Sequence, residues 1–306
     1  MLAIQTLTDV QLIHDKAEAL SLDSLIPAVR KSPQEEAEEE EEGGWEEEEA
    51  EVVRDTLLQP NPCTLYKLQE NGELLGMKDI VGGFRAFGQL VKLERVSPLI
   101  RRVAVGPATI QIAEAPAHDI GGSIWLSSIA LCGWMAAGGR KELCGKVVLE
   151  LGSGVGVAGV FAASCCSPAR AILSDGTQSL VGLCQFNVEL NGCAASCYRL
   201  DWGGDVVLGE EEKADVILAA DCIYRTNADA FLRAVLDHLK PGGRLFLVNP
   251  PEENRTGIDE FIYKLWEHGD LEWKRIRVEH DGYVKSLLFI QFQREVLPSS
   301  SSNLQE

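Results

Sequence analysis

The run Val147-Val148-Leu149-Glu150-Leu151-Gly152-Ser153-Gly154-Val155-Gly156-Val157-Ala158-Gly159 decides how this chain is read. An aliphatic, β-branched stretch reaches an acidic residue, breaks into a glycine-dense turn, and resumes with small residues suited to the first turn of a helix. The order is strand, loop, helix. Glycines let the backbone turn tightly and come close to a ligand, while the helix that follows offers unpaired N–H groups and positive dipole density. Such a loop, Gly152, Ser153 and Gly154, binds a nucleotide-like cofactor. Glu150, at the carboxyl end of the strand, stands where an acid could meet a ligand's ammonium group. The spacing Gly154-x-Gly156-x-x-Gly159 also satisfies the dinucleotide fingerprint, so the loop by itself does not choose the cofactor.

Downstream the pattern repeats. From Lys146 strands and helices alternate, which argues for an α/β, Rossmann-like parallel sheet with helices on both faces. Residues 171–174 read as the second strand and end in Asp175, about twenty residues past the glycine loop. A carboxylate there accepts from both hydroxyls of a ribose, although the same residue suits a helix N-cap. The third strand, 195–200, ends in Asp201-Trp202. That indole either stacks on adenine, with the neighbouring carboxylate reading its amino edge, or packs against the sheet edge. Residues 215–220, ending in Ala220, read as the fourth strand, continuously apolar from Val216 on as in a buried parallel strand, and they open into Asp221-Cys222-Ile223-Tyr224.

Upstream, Gly121-Gly122-Ser123-Ile124-Trp125 enters an apolar helical pattern that ends at Gly138-Gly139. Trp125 either covers the cofactor or fills core. Residues 101–105 and 109–112 flank Gly106-Pro107, and Asn71-Gly72 separates two apolar runs. Together they predict a small β-rich lead-in over 53–120.

Gly-Gly-x-x-Trp at 121–125, Glu-Leu-Gly-Ser-Gly at 150–154, Asp175, Asp201-Trp202 and Ala-Asp-Cys-Ile-Tyr at 220–224 together resemble a class I S-adenosylmethionine-dependent methyltransferase. The group they resemble is the seven-β-strand, protein-lysine methyltransferase set called family 16. The resemblance runs from about residue 121 to the end. It implies a seven-stranded, mostly parallel sheet with an antiparallel terminal strand, and S-adenosyl-L-methionine as cofactor. It puts Trp125, Gly152, Ser153, Gly154, Asp175, Trp202 and Ala220 at the cofactor, and Asp221 with Tyr224 beside the acceptor. The implied acceptor is a lysine of a protein, of the elongation factor or chaperone class, with histidine in some relatives.

These side chains suit that chemistry. Methyl transfer from a sulfonium to an amine is an in-line displacement that needs the nucleophile in near-attack geometry with its lone pair free. It requires no metal. Asp221 orients the amine by hydrogen bonding and Tyr224 supplies an aromatic wall and a hydroxyl; otherwise Asp221 caps the next helix and Tyr224 packs. Histidine or small-molecule methylation is the alternative reaction. An inactive, cofactor-binding adaptor that recruits a basic partner is the alternative of another class.

Further on, 227–239 reads as an amphipathic helix closed by Lys240-Pro241-Gly242-Gly243, 244–248 as strand five, and 271–280 with 287–293 as a terminal strand pair. Asn249-Pro250-Pro251-Glu252 resembles the Asn-Pro-Pro-aromatic signature of methyltransferases acting on bases or glutamine. It follows strand five rather than strand four, and Glu252 replaces the aromatic, so a rigid proline turn is the better reading.

Composition bounds the rest. The chain has 306 residues and a net charge of −19, but twelve glutamates lie between Glu35 and Glu51, leaving about −7 elsewhere. Residues 30–52 read as a disordered acidic linker, after an N-terminal segment 1–29 with a possible helix. The transferase domain spans 121–297 and a polar tail 298–306. Nine cysteines show no Cys-x-x-Cys and the five histidines are scattered, so no metal site is expected. The absence of a basic stripe argues against nucleic acid, and the absence of a long apolar run against a membrane span. A monomer in the cytoplasm or nucleus, acting on a protein, is the expectation.

Overall fold

The computed structural model describes residues 81–97, 99–115, 119–204, 208–224 and 227–296. The expected N-terminal helix, acidic linker, Asn71-Gly72 hairpin and polar tail lie outside these residues.

Strands β1 (Gly82–Ala86), β2 (Gln89–Arg95), β3 (Ile100–Val105) and β4 (Ala108–Ala113) form an antiparallel meander. Alternation writes it: Val91, Leu93, Val103, Val105, Ile110 and Ile112 are buried, whereas Lys92, Arg102 and Thr109 are exposed. Helix α1 (Leu126–Trp134) passes through a π-helical turn, Met135–Gly139, into the short α2 (Arg140–Leu143). The glycine pair therefore bends the helix instead of ending it. Gly138 takes φ 125, and a Cβ on Gly139 would lie 2.5 Å from the Trp134 ring.

The alternating region follows as β5 (Val147–Leu151), α3 (Val157–Cys165), β6 (Arg170–Asp175), α4 (Gln178–Leu190), β7 (Ser196–Arg199), β8 (Ala214–Ala220), α5 (Ala228–His238), β9 (Leu239–Asn249) and α6 (Ile258–Trp266). A hairpin of β10 (Gly269–His280) and β11 (Tyr283–Arg294) closes it. Its turn is Asp281-Gly282, at φ 45 and 80, the left-handed pair a two-residue hairpin turn needs.

All strands among the described residues join one sheet in the order β4-β3-β2-β1-β10-β11-β9-β8-β5-β6-β7. The expected seven-stranded, mostly parallel sheet is thus corrected to eleven strands of mixed direction. Only β5 to β9 run parallel to one another, and β11 runs antiparallel to both β9 and β10. The meander does not stand ahead of the sheet. It continues it past β10, where Arg85 registers with Glu279, the His280 ring stacks on Phe84 at 4.2 Å, and an imidazole nitrogen lies 3.1 Å from Gly83 O. An otherwise open strand edge is covered.

Two layers of helix cover the central strands. Phe231 of α5 and Phe261 and Leu265 of α6 pack with Leu149, Leu151, Ile217, Leu245, Leu247 and Ile290 on one face. On the other lie α1, α3 and α4, with the Trp134 ring 4.4 Å from Phe246. Burial on both faces explains why β8 is unbroken apolar sequence from Val216 to Ala220. The Lys240-Pro241-Gly242-Gly243 segment falls inside β9, where the register jumps from Ala214 opposite Leu239 to Val216 opposite Arg244; it is an irregularity in the strand and not a loop before it. The strand order reverses between β5 and β8, and a ligand crevice lies beyond the carboxyl ends of strands at such a point. No helix among the described residues is long and apolar enough to cross a membrane.

Candidate active site

The glycine loop leaves β5 at this reversal. Gly152 and Gly154 take φ 64 and 53, and neither has room for a side chain. A Cβ on Gly154 would lie 2.6 Å from the carbonyl oxygen of Gly121, and one on Gly152 would lie 2.9 Å from Cys222 Sγ and 3.0 Å from the Trp202 ring. The Gly121-Gly122 and Gly152-Ser153-Gly154 segments therefore meet backbone to backbone. Ser153 turns inward: its N–H donates to Ser174 O at 2.8 Å, and its hydroxyl accepts from Ser174 N at 2.9 Å.

Asp175, at the end of β6, joins the loop directly. Its Oδ2 accepts from Gly154 N at 2.9 Å and its Oδ1 from Thr177 N at 3.0 Å. Burial pushes its carboxyl above the ordinary aspartate value, against the pull of those backbone donors. Glu150 is placed differently from its sequence expectation. It is 2% exposed and lies under α3, where its Oε2 accepts from Gly159 N at 2.9 Å, so its carboxyl faces the helix. Burial pushes that carboxyl up to about 8.

Trp202 lies against Gly152 on one side and Phe231 on the other, with ring centroids 4.9 Å apart in an edge-on contact. Its Nε1 is buried with no hydrogen-bond partner among the described residues. Asp201 is exposed and pairs with Arg199 at 3.0 Å. Ala220 ends β8, half-buried, beside the Cys222 thiol that bonds Leu151 O at 3.1 Å. Trp125 caps the start of α1, and its indole N–H donates to Ile120 O at 3.2 Å.

Asp221 takes φ 57, a left-handed backbone that aspartate tolerates better than most residues and that costs energy unless its surroundings enforce it. They do. Its N–H donates to Val248 O at 2.9 Å, and Asn249, fully buried, accepts from Ile223 N and donates to Ile223 O, each at 3.0 Å. Asn227 then accepts from Tyr224 N at 3.1 Å and donates to Cys222 O at 2.9 Å. The proline turn thus has its asparagine gripping the Asp221–Tyr224 loop. Arg255, from the segment between β9 and α6, pairs with Asp221 through Nε and Oδ1 at 2.9 Å, and its guanidinium carbon sits 5.6 Å from the centre of the Trp125 ring. Burial raises the Asp221 carboxyl, and Arg255 draws it back.

The glycine loop, Asp175, Trp202, Asp221 and Trp125 therefore gather at one edge of the sheet. Asp201 stays at the exposed rim, while Glu150 and Ser153 brace the loop from beneath. Sequence reasoning missed Arg255, which stands alone in an irregular stretch with nothing local to mark it. Asn249 was visible as a motif, but its carboxamide's partner, Ile223, is 26 positions away.

This is the arrangement of a nucleotide-binding α/β protein, with its loops at the topological switch point. The chain belongs to the lysine methyltransferase family, whose model matches residues 106–265. It is 30% identical over 131 residues to protein N-lysine methyltransferase METTL21A of Danio rerio, covering 41% of this chain and 58% of that protein. It is 32% identical over 129 residues to protein-lysine N-methyltransferase EFM3 of Chaetomium thermophilum, covering 38% of each. With EEF1A lysine methyltransferase 3 of Mus musculus it shares 28% identity over 188 residues, 58% of this chain and 74% of that one. The chain thus spans less than two thirds of the first two relatives' lengths. Among solved structures it is similar to the 16S rRNA N2 G1207 methyltransferase RsmC of T. thermophilus, with TM-score 0.49, 20% identity, and coverage of 66% of this chain and 52% of that one.

Proposed function

We propose that this protein transfers a methyl group from S-adenosylmethionine to a lysine side chain of a protein. Family membership supports the reaction class. The observation that carries the acceptor chemistry is Asp221: a buried carboxylate beside the glycine loop, with Oδ2 lacking any hydrogen-bond partner among the described residues. A buried acceptor atom of that kind is costly unless something donates to it.

The residues fit the cofactor. Gly152 and Gly154 bring bare backbone to its edge, Asp175 receives the ribose hydroxyls in exchange for Gly154 N, and Trp202 and Ala220 border the adenine. Trp125 closes the opposite wall. When bound, S-adenosylmethionine supplies a methyl carbon on a positively charged sulfur. Asp221 accepts an N–H of the incoming amine and aims its lone pair, and Tyr224 lines the approach. The acceptor is expected on a protein of the elongation factor or chaperone class, and one relative carries EEF1A in its name. The finer organisation we propose is a seven-strand transferase core, β5 to β11 with residues 121–297, acting as a monomer.

The roles separate experimentally. Asp175→Ala should weaken cofactor binding about 10- to 100-fold, the worth of hydrogen bonds to a charged group. Asp221→Ala and Tyr224→Phe should lower transfer with binding largely kept. Equal loss of binding in all three variants, measured by calorimetric titration, would contradict the assignment.

A further inference from the structure

Resting on that reading, we infer that Arg255 is a positioning residue for the acceptor: it takes Oδ1 of Asp221, leaves Oδ2 for the amine, and cancels the charge that would otherwise hold that amine protonated. The two side chains are 14% and 4% exposed, so the pair is shielded from water. Arg255 is fixed from three directions. Its Nε meets Asp221 at 2.9 Å, its guanidinium lies 5.6 Å from the centre of the Trp125 ring, and its own N–H donates to Pro251 O at 3.0 Å. The proline turn is anchored in its turn by Glu252, which accepts from Gly257 N at 3.0 Å and Asp259 N at 3.1 Å at the start of α6. The Asn-Pro-Pro-Glu stretch therefore serves to aim Arg255.

A lone buried carboxylate is a poor neighbour for a nucleophilic amine. It favours the ammonium form, and the two groups then share one proton over a wide pH range. On nitrogen that proton consumes the lone pair; on oxygen it hydrogen-bonds to the lone pair. Either way the amine cannot attack. A guanidinium remains charged at every relevant pH, so pairing it with Asp221 makes the carboxylate the stable form and the pair neutral. The shared proton then leaves to water at lower pH, and the lone pair forms the N–C bond as the C–S bond breaks and its electrons pass to sulfur. Among the described residues the Cys222 thiol, which burial holds well above its usual range, also interacts with Asp221, and Glu150 and Asp175 act on that thiol from the glycine loop side. Among the described residues, Arg255 is the cation acting on Asp221.

The test compares wild type, Arg255→Met and Arg255→Lys in the full chain, with folding checked by circular dichroism. Transfer of tritiated methyl from S-adenosylmethionine to cell lysate protein is followed from pH 6.5 to 10. Arg255→Met should shift the rising limb of the rate upward by about one pH unit, so that it is about tenfold slower at pH 8 and converges with wild type at high pH. Arg255→Lys, which keeps the charge, should return the limb toward wild type. Independently of activity, the carboxyl carbon-13 resonance that disappears in Asp221→Asn should titrate at higher pH in Arg255→Met. An unshifted rate profile with an unshifted resonance, or a uniform loss of rate at every pH, overturns the inference and leaves the methyltransferase reading intact. No label from the wild type at any pH overturns both.

Discussion

At the residue scale, Glu150 separates sequence expectation from structure most clearly. The strand and the acid were legible, but which way the acid points was not, because alternation along β5 puts Leu149 and Leu151 on the α5 face and Glu150 under α3. Its carboxyl, pushed from 4.5 up to about 8, ties stability to pH. Between those values the native state keeps a proton that the unfolded chain has lost, so stability should be highest below the lower value and fall as pH rises toward the upper one. Glu150→Gln should abolish that loss. Urea midpoints of the variant and wild type should move apart in the variant's favour from pH 5 to pH 8; a constant difference would mean that Glu150 is ionised throughout. Asp175 was legible because its spacing from the loop is local and physical. Arg255 was not, since its partners Asp221 and Trp125 come together only through the fold.

At the scale of elements, α4 does something no sequence pattern announced. Asn187 accepts from Ala113 N at 2.7 Å and donates to Ala113 O at 3.1 Å, while Asn191 accepts from Gln111 N at 2.8 Å and donates to Gln111 O at 2.7 Å. Residues four apart on a helix advance about 6 Å and residues two apart on a strand nearly 7 Å, so two carboxamides reproduce the ladder that a further strand would offer β4. Asn187 also donates to Val155 O at 2.8 Å, and Glu114 joins Arg101 at 3.0 Å while accepting from Ile124 N at 2.9 Å, just before Trp125. The meander is thereby coupled to both glycine segments. Asn187→Ala strands buried backbone groups and should cost about 1–3 kcal/mol and weaken cofactor binding. Asn191→Ala should cost less and spare the cofactor. Equal effects on cofactor affinity would show that the coupling does not run through Asn187. The helical and strand elements of 146–294 were readable from their periodicity. The asparagine clamp was not, because Asn187 and Ala113 are 74 positions apart.

At the scale of the whole molecule, the nucleotide-binding half was legible because strand, loop and helix follow one another in sequence and each carries its own glycine or acid. The eleven-stranded sheet was hidden because its joint is one register pair, Arg85 opposite Glu279, far apart in the chain and marked only by a histidine stacked on a phenylalanine. The central claim is that this fold moves a methyl group onto a protein lysine. Incubating the protein and its Asp221→Ala variant with isotope-labelled S-adenosylmethionine and cell lysate, followed by mass-spectrometric mapping of labelled bands, tests it most directly. The account predicts a discrete labelled protein, modified on lysine and absent with the variant. Label on another residue type, equal label with both proteins, or no labelled protein despite measurable cofactor binding would contradict it.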